Sequence, residues 1–286
     1  MRIINIIGGL GNQMFQYAFA LSLKKHFPDE TVMIDTHHFK HYPLFNGFEL
    51  DRVFPCHTLK LAATKDIRSV SRYIPHYKLS RLARRVLPKR KTEYIQKEDF
   101  AFEPIVYALE GNIYYDGYWQ GWQYYEGMRE VLRKEFSFPT PNAFNKAMCE
   151  EIESGDSVGI HVRRGDYLNL PLFKGICGED YYERAIDTVR KDDKTHFYVF
   201  SNDIKWCEEH IAPFVERVTY ITENIGADSF WDMFLLSKCR QLIIANSSFS
   251  WWGAFLNADV EKVIAPKQWV NTQERIDTQM PEWTLI

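Results

Sequence analysis

The sequence contains no two aspartates separated by one residue, no Cys-x-x-Cys, and no apolar run long enough to span a bilayer as a helix. The first absence removes one common way of holding a divalent cation beside a diphosphate. The five cysteines, Cys56, Cys149, Cys177, Cys207 and Cys239, are odd in number and scattered. They suggest neither a disulfide framework nor a metal cluster, and read as reduced thiols of a cytosolic chain. Charge of either sign is not in excess: 35 Lys and Arg against 38 Asp and Glu leave a net −3, giving no global pull toward nucleic acid. Internal repeats, low-complexity tracts and the GxGxxG dinucleotide fingerprint are missing too. Met1-Arg2 and the apolar residues after them imitate a signal peptide. Asn5, Asn12, Gln13 and Gln16 interrupt that pattern and no cleavage site follows, so the expected location is the cytoplasm.

Aromatic residues, in contrast, make up 15% of the 286 residues and hydrophobic ones 45%, enough for one large or two modest cores. Strand-like runs alternate with amphipathic helical stretches, which predicts an α/β fold with mostly parallel sheets. The rhythm is clearest in the second half. Strands are expected at 157–162, 196–200, 218–221 and 242–245, and helices at 179–190, 204–211, 229–239 and 249–257. The first half starts similarly, with a strand at 3–7, a helix at 13–25 and a strand at 31–35, then turns irregular between His37 and Phe54. Pro139 and Pro141 bracket a polar link, which predicts domains 1–140 and 141–286.

The most informative segment is His161-Val162-Arg163-Arg164-Gly165-Asp166-Tyr167, directly after an apolar strand. Ligands of open α/β sheets collect outside the carboxyl ends of strands, and the Arg fork matches phosphate oxygens in pairs. The plain alternative is a pair of solvated loop charges. Two other segments point to an anion. Gly8-Gly9-Leu10-Gly11-Asn12 joins a strand to a helix, where backbone N–H groups can approach a diphosphate. Asn246-Ser247-Ser248-Phe249-Ser250-Trp251-Trp252-Gly253 opens another helix, where hydroxyls both cap and donate to an anion. Capping alone accounts for one serine, not for three in four residues.

Between residues 67 and 92 there are nine Lys or Arg and no acid. Leu79, Leu82, Ala83, Val86 and Leu87 recur there at helical spacing, so the expected helix docks its apolar face and displays cations. A solvated face and an anionic partner, such as the inner membrane surface or a lipid-diphosphate-linked glycan, are the two readings.

The ordered set Gly-Leu-Gly-Asn-Gln-Met at 9–14, Asp-Gly-Tyr-Trp-Gln at 116–120, the heptapeptide at 161–167, Phe-Ser-Asn-Asp at 200–203 and the octapeptide at 246–253 resembles the bacterial α-1,2-fucosyltransferases of glycosyltransferase family eleven. The resemblance runs from residue 1 to about residue 265. It implies two Rossmann-like domains facing a cleft, a GT-B-like architecture, with the acceptor on the first domain and GDP-fucose on the second. It also implies inverting transfer of L-fucose from GDP-β-L-fucose to the 2-hydroxyl of a β-galactoside without a metal or other cofactor. The acceptor would be a galactose-terminated glycan, in one reading lipid-linked, for a bacterial surface polysaccharide. A fucosyltransferase of other linkage and a carbohydrate-binding protein without turnover are the alternatives.

By the same resemblance, Arg163 takes the place of a metal at the departing β-phosphate, and Arg164 orients the strand end or pairs with an acid. Ser247 and Ser248 are phosphate-binding candidates, with Gly11 and Asn12 from the other domain, and Asn202 from its motif. Asp232 matches a guanine-binding position of the more distant α-1,6-fucosyltransferases; its competing role is a partner for the helix dipole. His161 packs on the nucleotide or is a core histidine. Asp166 and Asp116 are candidates for the catalytic base, although Asp166 could instead form a salt bridge that fixes Arg163 or Arg164. Tyr114, Tyr115, Tyr118, Trp119 and Trp122 either face the acceptor sugar or form core.

Overall fold

In the computed structural model the chain forms two compact units, Met1–Ser137 with Glu274–Thr278, and Phe138–Gln273 with Gln279–Ile286. The structure describes every residue except Tyr42, Pro43, Leu44, Cys56 and Asp193, and excepting the side chains of Arg84 and Arg85. The expectation for Cys56 and those two Arg side chains thus lies outside the described residues.

The first unit carries strands β1 (Arg2–Asn5), β2 (Val32–Asp35), β3 (Lys60–Leu61), β4 (Glu93–Ile95) and β5 (Ile113–Asp116). They form one sheet in the order β3-β2-β1-β5-β4, parallel throughout. Its helices are α1 (Leu10–His26), α2 (Leu50–Val53), α3 (Thr64–Val70), α4 (Tyr77–Val86) and α5 (Arg129–Glu135). Helix α1 starts three residues before the expected 13 and is buried from Leu10 to Leu23 apart from Asn12. Two interior amides are satisfied by loops: Gln16 accepts from Ile7 N and donates to Gly117 O, and Gln13 donates to Gly8 O and accepts from Glu49 N. Gly8 itself has φ +83, a turn conformation glycine adopts without strain. The segment 274–278 returns to this unit from late in the sequence, with Asp277 accepting from Phe102 N and Trp122 N and donating from its own N to Phe100 O. A single boundary at 140 does not capture that return.

The second unit carries α6 (Ala143–Ser154), β6 (Ser157–Val162), α7 (Glu179–Val189), β7 (His196–Ser201), α8 (Ile204–His210), β8 (Val218–Ile221), α9 (Phe230–Leu236), β9 (Gln241–Ile243), α10 (Ser248–Leu256), β10 (Lys262–Ala265) and β11 (Thr284–Leu285). Its parallel sheet has the order β11-β10-β9-β6-β7-β8. All six residues of β6 are buried, as expected of a parallel strand covered on both faces. Gly159 lets the core close on that strand: a Cβ there would stand 2.9 Å from Cys239 Sγ and from Leu242 Cδ2, and those side chains would have to shift.

One sequence expectation is reversed. The basic segment does form a helix, α4, but its apolar side chains do not dock: Leu79, Leu82 and Val86 are 57%, 58% and 72% exposed, whereas Ser80 is 2% exposed. The reason is what lies behind the helix. Tyr77, Ser80 and Arg81 line a cavity that also holds the Asp99 and Asp116 carboxylates, so this side of α4 turns inward.

Candidate active site

In the second unit the chain builds outward from β6 through β7 and β8, then restarts on the other side of β6 with β9, β10 and β11. This is the Rossmann order, and the reversal between β6 and β9 marks the carboxyl-end position where open α/β sheets hold their ligands. His161 to Asp166 leave β6 there, and Asn246 to Ser248 follow β9 into α10.

The two arginines have different surroundings. Arg164 Nε donates to Asp203 at 3.1 Å, its guanidinium lies 4.2 Å from the Trp206 ring, and its backbone N donates to Asn202 Oδ1 at 3.0 Å. Asp203 in turn caps α8 by accepting from Trp206 N. Arg164 is therefore part of the scaffold. Asn202 shapes the same turn: Gly165 has φ +30, and a Cβ there would meet Asn202 Nδ2 at 2.3 Å. Arg163 pairs with Asp166 at 2.8 Å, with side chains 29% and 43% exposed. Its guanidinium is oriented by that carboxylate and by the Tyr167 ring 5.5 Å away. Of the two sequence readings of Asp166, the salt bridge to Arg163 is the contact present, and it gives Asp166 a positioning role.

Tyr167 links the two motifs. Burial pushes its hydroxyl pKa up to about 12, with Arg163 and, more weakly, Ser247 opposing. The ring also stacks on Phe173 at 4.5 Å. Ser247 is the N-cap of α10, accepting from Phe249 N at 3.3 Å, and is 4% exposed, while Ser248 in the first turn is half-buried. Ser248 and the positive end of α10 are thus better placed than Ser247 for an anion. Ser250 bonds back to Ala245 O, and Asn246 holds Trp269 O, so both are structural. His161 stacks on Phe249 at 5.5 Å. Burial, with Arg163 adding repulsion, pushes its pKa down to about 3, which keeps the ring neutral. His161 Nδ1 is buried with no hydrogen-bond partner among the described residues.

Asp232 lies in the first turn of α9, on the edge where the strands end. Asn224 Nδ2 donates to it at 2.9 Å, and Asn224 is itself locked to Asn145 by two amide bonds of 3.0 Å each. Burial pushes the Asp232 carboxyl up to about 7 despite the Asn224 bond. Only the ionised form can accept from both the N1–H and the exocyclic amine of guanine. On the reading that Asp232 binds guanine, GDP affinity is expected to be full well above pH 7 and to fall as pH drops below it. The fall attributable to this group should be about tenfold from pH 8 to pH 6, as its ionised fraction dictates. Calorimetric titration of the parent protein and of Asp232→Asn over this range is the check. If the pH dependence is the same in both, Asp232 does not bind guanine.

Gly11 and Asn12 lie in the first unit, at the start of α1; Asn12 Oδ1 accepts from Gln120 Nε2 at 2.9 Å. In this unit the chain runs from β1 through β2 to the edge at β3, crosses to the opposite edge at β4 and returns to β5 beside β1. A cavity of about 350 Å³ opens at the carboxyl ends of these strands, lined by Asn5, Gln96, Asp99, Asp116 and Tyr118, with Arg81 at its rim. Its size is that of a small-molecule site. Asn5 Nδ2 donates to Asp116 Oδ1 at 2.6 Å, while Asn5 Oδ1 has no hydrogen-bond partner among the described residues. The Gln96 carbonyl accepts from both Tyr118 N and Trp119 N at 2.8 Å, fixing the turn that presents Asp116. Asp99 is pushed up to about 6, first by burial and then by Glu274, Asp116 and Glu103, with Arg81 opposing. Sequence reasoning missed Asp99, Asn5 and Gln96, which carry no motif. Of the two readings of the aromatic cluster, core holds for three of its five residues. Tyr114, Tyr115 and Trp119 are core residues at 1%, 0% and 0% exposure, and among the five aromatics only Tyr118 lines the cavity.

Among the described residues no cluster of three or more His, Cys, Asp or Glu is arranged to hold a metal ion, and no helix is long and apolar enough to cross a membrane.

Known proteins resemble this chain along most of its length. It is 32% identical to an alpha-1,2-colitosyltransferase of Escherichia coli, covering 95% of this chain and 93% of that one. It is 30% identical to the O-antigen biosynthesis glycosyltransferase WbnK of Escherichia coli, covering 96% and 97%. Among solved structures, the fucosyltransferase NodZ from Bradyrhizobium superposes with a TM-score of 0.52 at 16% identity, covering 92% and 94%, which shows a shared fold. The glycosyl transferase family 11 model matches residues 74–286, which include Asp99, Asp116 and the Arg163 site, and the chain belongs to that family.

Proposed function

We propose that this protein transfers L-fucose from GDP-β-L-fucose to the 2-hydroxyl of a galactose-terminated glycan, with inversion at the anomeric carbon. The observation that carries the reading is Arg163, aimed by Asp166 at the carboxyl end of the strand where the Rossmann order reverses. In the reaction the acceptor oxygen bonds to the anomeric carbon as the bond from that carbon to the β-phosphate oxygen breaks, and the electron pair leaves with GDP. Arg163 and the N-terminus of α10 stabilise the diphosphate charge. Asp232 accepts from guanine, and His161, neutral and stacked on Phe249, packs beside the nucleotide.

The acceptor sugar belongs to the cavity of the first unit, whose carboxylates, amides and Tyr118 suit a polyhydroxylated ring. Asp116, oriented by Asn5, takes the proton of the attacking hydroxyl. Support for the α-1,2 linkage comes from the 32% identical relative, which is named for that linkage. The same relative is named for colitose, which favours one second reading, a nucleotide-linked donor sugar other than fucose. Similarity to an O-antigen biosynthesis enzyme supports a bacterial surface glycan as the product.

The test is incubation with GDP-fucose and lactose, product linkage being read by NMR, in parallel with a GDP-linked colitose donor. A fucose signal on galactose O2 is the expected result. Turnover should persist in excess EDTA, because Arg163 is assigned the role a cation would play; activity restored only by Mn²⁺ or Mg²⁺ would refute that assignment. Absence of any transfer, with GDP-fucose still bound, would leave the carbohydrate-binding alternative.

A further inference from the structure

Helix α4 contributes to two surfaces at once. Tyr77, Ser80 and Arg81 line the cavity, and at roughly 3.6 residues per turn Leu79, Leu82 and Val86 fall on the opposite side. These three side chains, 57%, 58% and 72% exposed, are continued by Leu87 at 44%. Exposed apolar residues scattered singly are ordinary, but a cluster on one short helix marks a contact surface. The flanks identify its partner. Lys78 and Lys91 are exposed, and the surrounding stretch 67–92 holds nine basic residues and no acid. A second copy of the chain would match the leucines but would bring two basic segments together across the symmetry axis. An anionic bilayer satisfies both features: the apolar side chains enter the headgroup boundary and the lysines meet lipid phosphates.

We propose that α4 is an interfacial helix that seats the first unit on an anionic lipid surface, so that the cavity on its reverse side receives an acceptor glycan held by a lipid anchor. The acceptor clause rests on the function proposed above; the lipid seat does not.

The experiment uses the full chain with vesicles of phosphatidylcholine alone or mixed with phosphatidylglycerol. The parent protein should sediment with the mixed vesicles and not with the neutral ones. Lys78→Gln with Lys91→Gln should weaken binding about fivefold per charge at low salt, the difference vanishing at high salt. Replacing Leu79, Leu82 and Val86 by Gln should weaken it at least about tenfold at any salt. Transfer to a soluble galactoside should be unchanged in both variants, whereas transfer to a lipid-anchored galactoside in the vesicles should fall with binding. Because these side chains are already exposed, folding should survive, as thermal melting will show, and Leu82→Gln alone serves if the triple variant unfolds. The proposal is overturned if the parent ignores anionic vesicles, if the apolar variant binds like the parent, or if the substitutions dissolve a homodimer instead of a vesicle complex. A parent protein that binds vesicles but transfers nothing to the soluble galactoside would refute the function, not the lipid seat.

Discussion

Replacing Arg163 by alanine is expected to reduce kcat by at least about 10² to 10³, the usual cost of losing one preorganised donor to charge that develops in the transition state. Arg163→Lys should remain strongly impaired, because lysine keeps the charge but loses the fork that meets two phosphate oxygens. The structure adds a third variant. Asp166 pairs with Arg163 at 2.8 Å, so Asp166→Asn should reduce kcat less than Arg163→Ala, by loosening the guanidinium instead of removing it. All three should fold, since the Arg163 side chain is 29% exposed and takes no part in the core. The measurement is kcat and KM for GDP-fucose with thermal melting beside it. Near-parental activity in Arg163→Lys would refute paired recognition, and in Arg163→Ala would refute the site. If Asp166→Asn instead proves worse than Arg163→Ala, the carboxylate acts on substrate directly and the base must be sought there.

The second large effect is expected in the first unit. Asp116→Asn keeps an oxygen that can accept from Asn5 Nδ2, as Asp116 does now at 2.6 Å, but cannot take a proton from the acceptor. A loss of about 10² to 10⁴ in kcat should follow, the range typical of general base catalysis, with KM for GDP-fucose little changed. Asp99, pushed up to about 6 by burial and by neighbouring carboxylates, serves as the comparison. Asp99→Asn should cost less than Asp116→Asn. The reverse order would make Asp99 the base and its ionisation near pH 6 the acid limb of the rate profile. Parental rates in both variants would remove the cavity from catalysis.

How much of this was legible before folding follows from particular residues. The strand 157–162 was readable because a parallel strand covered on both faces needs a continuous apolar run, and β6 spans Ser157–Val162 with all six residues buried. The motif at its end was readable because arginines after such a strand have few structural reasons to be there. The resemblance gave Arg164 an acid partner or a role in orienting the strand end, but which residues hold it was not readable: Asp203 and Trp206, about forty positions later, fold against it. Likewise, three serines near the start of α10 looked alike, yet one caps the helix, one bonds backward and one is half-buried in the first turn.

The sequence by itself determined the α/β alternation, the Rossmann-like second half and the motifs that tie the chain to its family, because periodicity and local turn chemistry are short-range properties. Only tertiary structure decided which face of α4 turns inward, since the helical spacing of its leucines is the same whether that face meets core or solvent, and the cavity behind the helix takes Tyr77, Ser80 and Arg81. It also decided that Asp99, Asp116, Asn5 and Gln96, drawn from separate loops and strand ends, share one cavity. Residues so far apart in the chain carry no joint signal in its linear order; parallel pairing of β1, β4 and β5 brings their carboxyl ends side by side and makes the site.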